Sequence, residues 1–243
     1  MLLLLELRDK QASNWHGKGI DNAINNIKTI LKPKLLGLSP LDTEKIDELM
    51  IELDGTDNKS KVGANAILAI SLATAHVAAK ANKMSLYKHF SKVYKDITGQ
   101  NVTHRMPLPM FNILNGGEHA DNNIDIQEFM IIPSGAKNFV QVMQWATEIY
   151  HNLKKILLKN NYSTAVGDEG GFAPSLDSNK EALRLIVDAI KESGLVPGKD
   201  VNIALDCAAS EFFDDNKYIL KGERKELSSM QFVDYLDDLI QNY

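Results

Sequence analysis

The amino-acid sequence predicts an α/β fold, in which a mostly helical part at residues 1–103 precedes a part at residues 104–243 where strands and helices alternate. In the first part, apolar residues recur at helical spacing. After Met106, short apolar runs that end in turn residues alternate with amphipathic stretches. This alternation favours parallel strands joined by crossover helices. About 140 residues follow Met106, whereas a closed eight-stranded barrel takes about 250, so we expect an incomplete barrel with an open edge.

The sequence makes specific predictions about the end of one helix of the first part and the burial of another. One runs through Ile24 and Leu31 and is expected to end at Pro33, because proline interrupts a helix. The other spans the alanine-rich stretch from Ala64 to Ala79, which also contains several polar residues. We interpret this stretch as a helix buried on most sides and not as a membrane span.

The second part opens with two predicted strands, the first ending at the turn Asn115-Gly116-Gly117 and the second at Pro133. A long amphipathic helix then runs from Phe139 to Leu157. The next predicted helix begins at Ser178, where Glu181 is placed to complete a capping box.

The end of the chain combines a short strand with a final helix. The strand covers residues 201–205 and leads directly to Asp206. The helix begins near Ser228, with Gln231 at the reciprocal capping position. Its predicted apolar face consists of Val233, Leu236, Leu239 and Ile240.

Composition and charge narrow the possible functions. The formal net charge of −5 and the lack of a basic run argue against nucleic-acid binding. The single cysteine, Cys207, cannot form an internal disulfide, which suits a reducing cytoplasm. The apolar run at Met1–Leu5 is too short for a signal peptide and has no basic segment before it. We therefore expect a cytoplasmic protein that binds neither nucleic acid nor a membrane.

Two of the candidate functional residues are carboxylates, and the sequence pattern allows two roles for each of them. Asp206 ends a buried strand and could bind a hard cation such as Mg²⁺, or it could cap a helical turn that follows. Glu169 lies beside Asp168 in the glycine-rich loop Gly167–Gly171, where the backbone can approach a ligand. The same loop could be a solvent-exposed acidic turn.

Two further candidates lie near the first two strands. His119 could act as a proton shuttle or a phosphate contact, or it could be an ordinary surface histidine. Glu128 lies in an otherwise apolar run and needs a partner if it is buried, or it could face solvent. From spacing and composition, the sequence indicates an α/β enzyme that could depend on a metal.

Five sequence strings resemble the enolase family in their order and spacing, and the resemblance extends over residues 6–243. The strings are Leu53-Asp54-Gly55-Thr56 with Asn58–Ala66, Phe111–Gly117 with His119-Ala120, Gln127–Met130, Gly167–Pro174, and Leu205–Phe212.

The resemblance implies a mostly helical part of the enolase N-terminal domain followed by an incomplete enolase-type β/α barrel. It implies a phosphopyruvate hydratase, a lyase of glycolysis that reversibly dehydrates 2-phosphoglycerate to phosphoenolpyruvate with two Mg²⁺ ions and is usually a homodimer. In the family, a lysine removes the proton at C2 and a glutamic acid assists loss of the C3 hydroxyl.

Matching motifs assign expected roles to individual residues. Glu169 would be the acid that protonates the leaving hydroxyl, so it would have to hold a proton near neutral pH. His119, Gln127 and Glu128 would contact the substrate. Asp168 would support Glu169, and Asp206 would be a ligand of the tighter-bound Mg²⁺.

The resemblance also implies that parts of the family's active site lie outside residues 1–243. These parts are the first strands with a serine-containing loop, the lysine base, two further metal ligands and the phosphate-binding residues. We therefore expect no activity from this chain alone. A non-catalytic remnant or interaction protein is the alternative, and a sugar-acid dehydratase or racemase of the wider superfamily fits the motifs less well.

Overall fold

The computed structural model describes residues 4–11 and 13–243, so most of the apolar run at Met1–Leu5 lies outside the described residues. The chain divides into two compact units, Met1–Arg105 and Met106–Tyr243. The first unit is helical among its described residues and the second mixes strands with helices, which confirms the predicted fold class.

The described residues of the first unit form five α-helices. The bounds are α1 Asp21–Asn26, α2 Lys32–Leu35, α3 Thr43–Asp54, α4 Ala64–Ala81 and α5 Leu86–Thr98. Its apolar core consists of Ala23, Leu31, Ile46, Met50, Val62 and Ala66. Four of these side chains lie on α1, α3 and α4, whereas Leu31 lies in a π-helical turn and Val62 in the loop before α4.

The Asp54-Gly55-Thr56 turn is held by a buried carboxylate. Asp54 accepts hydrogen bonds from the backbone of Thr56 (3.0 Å) and Val62 (2.7 Å) and from the Thr56 hydroxyl. Burial alone would raise the pKa of Asp54, but these donors lower it below its usual value. Gly55 adopts a positive φ of 67° to end α3, a conformation that glycine tolerates best.

Two expectations for the first unit are wrong. Pro33 does not end its helix, because a π-helical turn at Ile27–Leu31 joins α1 to α2 and the helix continues past Pro33 to Leu35. Helix α4 is not buried on most sides, since its buried residues are alanines whereas Leu68 and Leu72 are 58% and 49% exposed.

Helix α4 has a composition that can be mistaken for a membrane span. Its 18 residues have a mean hydropathy of 1.3, enough to pass a simple test of length and composition. The core helices of soluble proteins pass the same test, so this feature is weak evidence for a membrane segment.

The second unit contains a three-stranded sheet with β1 Phe111–Asn115, β2 Glu128–Ile132 and β3 Asn202–Asp206. The strand order is β1-β2-β3, and β2 is antiparallel to both neighbours. The prediction of parallel neighbours is therefore wrong. Between β1 and β2 the chain forms a 3₁₀ turn and no crossover helix, whereas the helices Phe139–Lys159 and Asn179–Glu192 lie between β2 and β3, which pair antiparallel all the same. In the part of the chain that is described, the sheet does not close into a ring, as predicted.

Three α-helices of the second unit have the bounds α6 Phe139–Lys159, α7 Asn179–Glu192 and α8 Ser229–Asn242. Helices α6 and α7 pack against the sheet around the fully buried Phe129 and Phe172. The predicted capping box of Ser228 and Gln231 is present at α8. Ser178 caps α7, but the Glu181 side chain bonds Arg184 instead of reaching back, so the second predicted capping box is wrong.

A small antiparallel sheet precedes α8 and has no counterpart among the predictions. Its strands are β4 Phe213–Asp214, β5 Lys217–Leu220 and β6 Lys225–Leu227. Asp215 and Asn216 form its first turn with φ of 44° and 61°, as hairpin turns of type I′ require. Helix α8 buries Phe232, Tyr235 and Leu239, and Leu236 packs against the core, whereas Val233 and Ile240 are 58% and 76% exposed, so half of its predicted face is wrong.

A buried polar network ties this small sheet to the segment before β2. Asn179 is 1% exposed and its side chain accepts from the backbone of Ile126 (3.2 Å) and donates to Glu223 (3.1 Å). The Tyr235 hydroxyl donates to the same Glu223 carboxylate at 2.7 Å. Satisfied buried groups of this kind fix a geometry, and here they fix the approach to β2.

Neighbouring leucines in α6 give a matched test of this core. Leu157 is 0% exposed and Leu158 is 57% exposed. We expect Leu157→Ala to lower the free energy of unfolding by about 2–5 kcal/mol through lost burial and a cavity. Leu158→Ala should change it by less than about 0.5 kcal/mol. Urea denaturation measures both, and equal effects would contradict the assigned helix orientation.

Candidate active site

The site forms at the edge of the sheet where β1 ends, β2 begins and β3 ends. The register places Asn115 opposite Glu128, and Glu128 opposite Asp206. Because β2 runs antiparallel to its neighbours, its first residue lies at the same edge as their last residues. Glu128 therefore begins its strand, and its side chain lies between the last residues of β1 and β3.

The segment after β1 places His119 above this edge. Gly117–His119 forms one 3₁₀ turn, and the backbone of Gly116 donates to Gln127 O at 2.9 Å. The Asn122 side chain donates to Asn115 O (2.9 Å) and Pro174 O (3.1 Å). These bonds fold the segment back on the sheet, so His119 approaches the beginning of β2.

The glycine-rich loop Gly167–Gly171 is tied to the same place. Its ends are joined by a 2.8 Å bond from Gly167 N to Gly171 O, and Asp168 N donates to His119 O at 3.0 Å. A Cβ atom on Gly171 would lie 2.8 Å from the backbone nitrogen of Leu114 and 2.0 Å from Asn115 Oδ1, so only glycine permits this approach to β1. The loop thereby holds Glu169 close to His119.

Three side chains converge between these loops and the sheet. His119 Nδ1 lies 3.5 Å from Glu128 Oε1 and 3.7 Å from Glu169 Oε1. The His119 and Glu128 side chains are 24% and 15% exposed, whereas Glu169 is 47% exposed. Three of the sequence candidates therefore form one cluster, and Glu128 does not face solvent as its alternative interpretation required.

The cluster perturbs the protonation of one carboxyl in particular. Burial raises the pKa of Glu128 above its ordinary value of 4.5, and the neighbouring carboxylates of Glu169 and Asp206 raise it further. His119 partly offsets this by lowering the pKa. Glu128 is thus the member of the cluster that retains a proton more readily than an ordinary glutamate.

The remaining candidates lie around this cluster without joining it. Gln127 is half-buried directly before β2, and its carbonyl accepts the bond from Gly116. Asp168 is exposed and, like His119, borders a cavity of about 890 Å³. Asp206 is exposed, and its Oδ1 accepts a bond from Ala208 N at 3.0 Å, just before a 3₁₀ turn at Ala209–Phe212. Asp206 therefore holds the chain locally before this turn but does not cap it, because Ala208 occupies the N-cap position and no side chain makes a cap bond there.

Asp206 does not form a complete magnesium site with the residues that the structure describes. Mg²⁺ requires near-octahedral oxygen ligands and dehydrates reluctantly. Asp206 offers one carboxylate that already accepts a backbone bond, and the described group that could hold an ion comprises His119, Glu128 and Glu169. One nitrogen and two carboxylates differ from the all-oxygen set that Mg²⁺ prefers.

Asn112 is a contributor that the sequence analysis missed. Its amide donates to Glu169 Oε2 at 3.4 Å from β1, so it steadies the carboxylate on the side away from His119. The available signal was a polar side chain between Phe111 and Ile113 in a strand that is otherwise apolar.

The raised pKa of Glu128 predicts the effect of removing its neighbour. Glu169→Gln should lower the pKa of Glu128 toward 4.5, because one of the charges that oppose its ionisation is gone. Carbon-detected NMR of the carboxyl groups measures the titration. Glu148→Gln, an exposed position on α6, serves as the control and should leave it unchanged. An unaltered Glu128 titration in Glu169→Gln would contradict the cluster.

The raised pKa of Glu128 also predicts how the free energy of unfolding changes with pH. Since the folded-state pKa of Glu128 exceeds its unfolded value, its stabilising contribution is complete below the unfolded pKa and is lost as the pH rises through the folded pKa. Glu128→Gln should remove this part of the pH dependence in urea denaturation, whereas Glu148→Gln should keep it.

Comparison with known families agrees with the arrangement of the two units. Residues 103–243 match the sequence model of the family described as "Enolase, C-terminal TIM barrel domain". Residues 4–90 match the family described as "Enolase, N-terminal domain". The first match alone covers more than half of the chain, and the two occur in the order expected from the sequence strings. The chain therefore belongs to the enolase family.

Proposed function

We propose that this chain carries the acid half of an enolase active site, for the reversible dehydration of 2-phosphoglycerate to phosphoenolpyruvate in glycolysis. The convergence of His119, Glu128 and Glu169 at one sheet edge supports this proposal most directly. A cytoplasmic location and formation of a homodimer, both typical of the family, belong to the same proposal.

In this proposal, Glu169 protonates the leaving C3 hydroxyl. It is the most exposed of the three clustered side chains, and Asn112 fixes its orientation from the other side. Glu128, with its raised pKa, can keep a proton and share it with Glu169, which would help that residue to act as an acid. His119 and Gln127 contact the substrate, and Asp168 supports the Glu169 loop.

The proposal assigns proton removal and most of the metal binding to groups outside the described cluster. None of the described lysines forms an ion pair with Glu128, Glu169 or Asp206. Asp206 would supply one oxygen to Mg²⁺, which by itself is a poor site. We therefore propose that the isolated chain has no enolase turnover.

Turnover by the isolated chain is measured directly. We expect purified protein with Mg²⁺ and 2-phosphoglycerate to form no detectable phosphoenolpyruvate by ultraviolet absorbance. General base catalysis alone contributes about 10²–10⁴-fold, and lost positioning adds to the deficit. Robust turnover that purifies with the protein would show that a base lies among these residues.

A fusion to the later barrel strands of an active enolase tests the role of Glu169. We expect the fusion to be active and Glu169→Gln within it to lower kcat by about 10²–10⁴-fold, because the general acid is lost. Glu148→Gln makes the same chemical change at an exposed position on α6 and should retain activity. Normal turnover by the Glu169→Gln fusion would exclude Glu169 as the acid.

One observation favours the second candidate, a non-catalytic interaction protein. An apolar groove of about 460 Å³ lies between β3 and α8, and its lining includes Leu205, Leu236 and Ile240. The side of β3 that faces away from β2 forms no backbone pairing with another described strand. Open strand edges of this kind are templates for association. An inactive fusion with an intact fold would favour this candidate over the first.

A further inference from the structure

We propose that His119, Glu128 and Glu169 bind a transition-metal ion of the Zn²⁺ class, at a site separate from Asp206. The inference stands on the geometry of the cluster and does not depend on the proposed dehydration. It concerns the same three side chains in a second chemical role.

The separations of the three side chains match those of ligands around zinc. Zinc–nitrogen and zinc–oxygen bonds of about 2.0–2.1 Å in a tetrahedron place neighbouring ligand atoms about 3.3–3.4 Å apart. His119 Nδ1 lies 3.5 Å from Glu128 Oε1 and 3.7 Å from Glu169 Oε1, and all three ligand atoms lie within 4.8 Å of one another. Movements of a few tenths of an ångström would bring the two separations from His119 to tetrahedral spacing, and the two carboxylates, which lie within 4.8 Å of each other, would also have to approach.

The types of ligand favour zinc over magnesium. Imidazole nitrogen suits zinc, copper and nickel, whereas magnesium selects oxygen ligands. Three protein ligands with a fourth position open to water are typical of zinc sites in enzymes. Two carboxylates also offset the charge of a divalent ion, so the ion would enter without leaving a net positive charge in a partly buried site.

One atom of the cluster indicates a ligand independently of the spacing. His119 Nδ1 is buried and has no hydrogen-bond partner among the described residues, although two carboxylates face it. A buried polar atom without a partner is costly and calls for an explanation such as a missing ion. Coordination of a metal by Nδ1 would satisfy it.

The surroundings hold the three ligands in place. Glu128 is fixed by backbone pairing to strands on both sides, and Asp168 N holds the His119 carbonyl at 3.0 Å. The Asn112 amide bonds Glu169 Oε2, which leaves Oε1 directed toward His119. Outer contacts that orient a ligand in this way commonly contribute about 10–100-fold to metal affinity.

Titration of the purified full chain with Zn²⁺ alone tests the site. Calorimetry should show one ion bound per chain, and Co²⁺ should give the intense visible absorption of a tetrahedral complex. His119→Gln and Glu169→Gln should each weaken Zn²⁺ binding by more than about tenfold. Glu169 lies in an exposed loop, so its variant keeps the fold even where His119→Gln alters it.

Three control variants separate this site from others. His151→Gln and Glu148→Gln change exposed residues on α6 and should leave Zn²⁺ affinity unchanged. Asp206→Asn should weaken Zn²⁺ binding less than either cluster variant, because Asp206 lies opposite Glu128 and acts on the cluster through its charge but is not one of the three ligands. Affinity that is unaffected by His119→Gln and Glu169→Gln, or that falls most in Asp206→Asn, would overturn the proposal.

Discussion

The antiparallel placement of β2 is the constraint on which the site depends. A strand that ran parallel to β1 and β3 would carry Glu128 to the opposite edge, about 13–17 Å away for a strand of this length. With β2 reversed, Glu128 lies between the ends of its two neighbours. Two acidic residues that are far apart in sequence, Glu128 and Asp206, are thereby paired directly across the sheet, and their repulsion is part of the energetics of the site.

In the site, backbone groups and side chains have different hydrogen-bonding roles. Main-chain bonds, such as those of Asp168 N and Gly116 N, fix the loops. The nearby side chains are less completely satisfied, since His119 Nδ1, Asn112 Oδ1 and both polar side-chain atoms of Asn115 have no hydrogen-bond partner among the described residues. Unsatisfied polar atoms concentrated at one edge of a fold are a property of sites prepared for a ligand.

Local patterns predicted what depends on local chemistry. The periodicity of α6 and the Ser228 capping box could be seen in the sequence, because helix formation depends on spacing and on a few terminal groups. Strand direction leaves no such trace, and this is why the reversal of β2 was missed. Each site candidate was ambiguous for the same reason, since the distance between His119 and Glu169 is set by contacts that are remote in sequence. The orientation of α8 also depends on its neighbours, and its apolar positions allowed more than one face.

The loop Gly167–Gly171 packs against Asn115 of β1 at Gly171, and this close contact is possible because glycine has no Cβ atom. Any side chain at position 171 would collide with Asn115 Oδ1, and the loop would have to lift from β1 to accommodate it. The next residue, Phe172, is buried in the core and its backbone bonds β1, while Tyr150 of α6 donates to Gly170 O, so such a displacement would disturb core packing as well as separate Glu169 from His119. Position 171 therefore couples the packing of the core to the spacing of the acidic cluster.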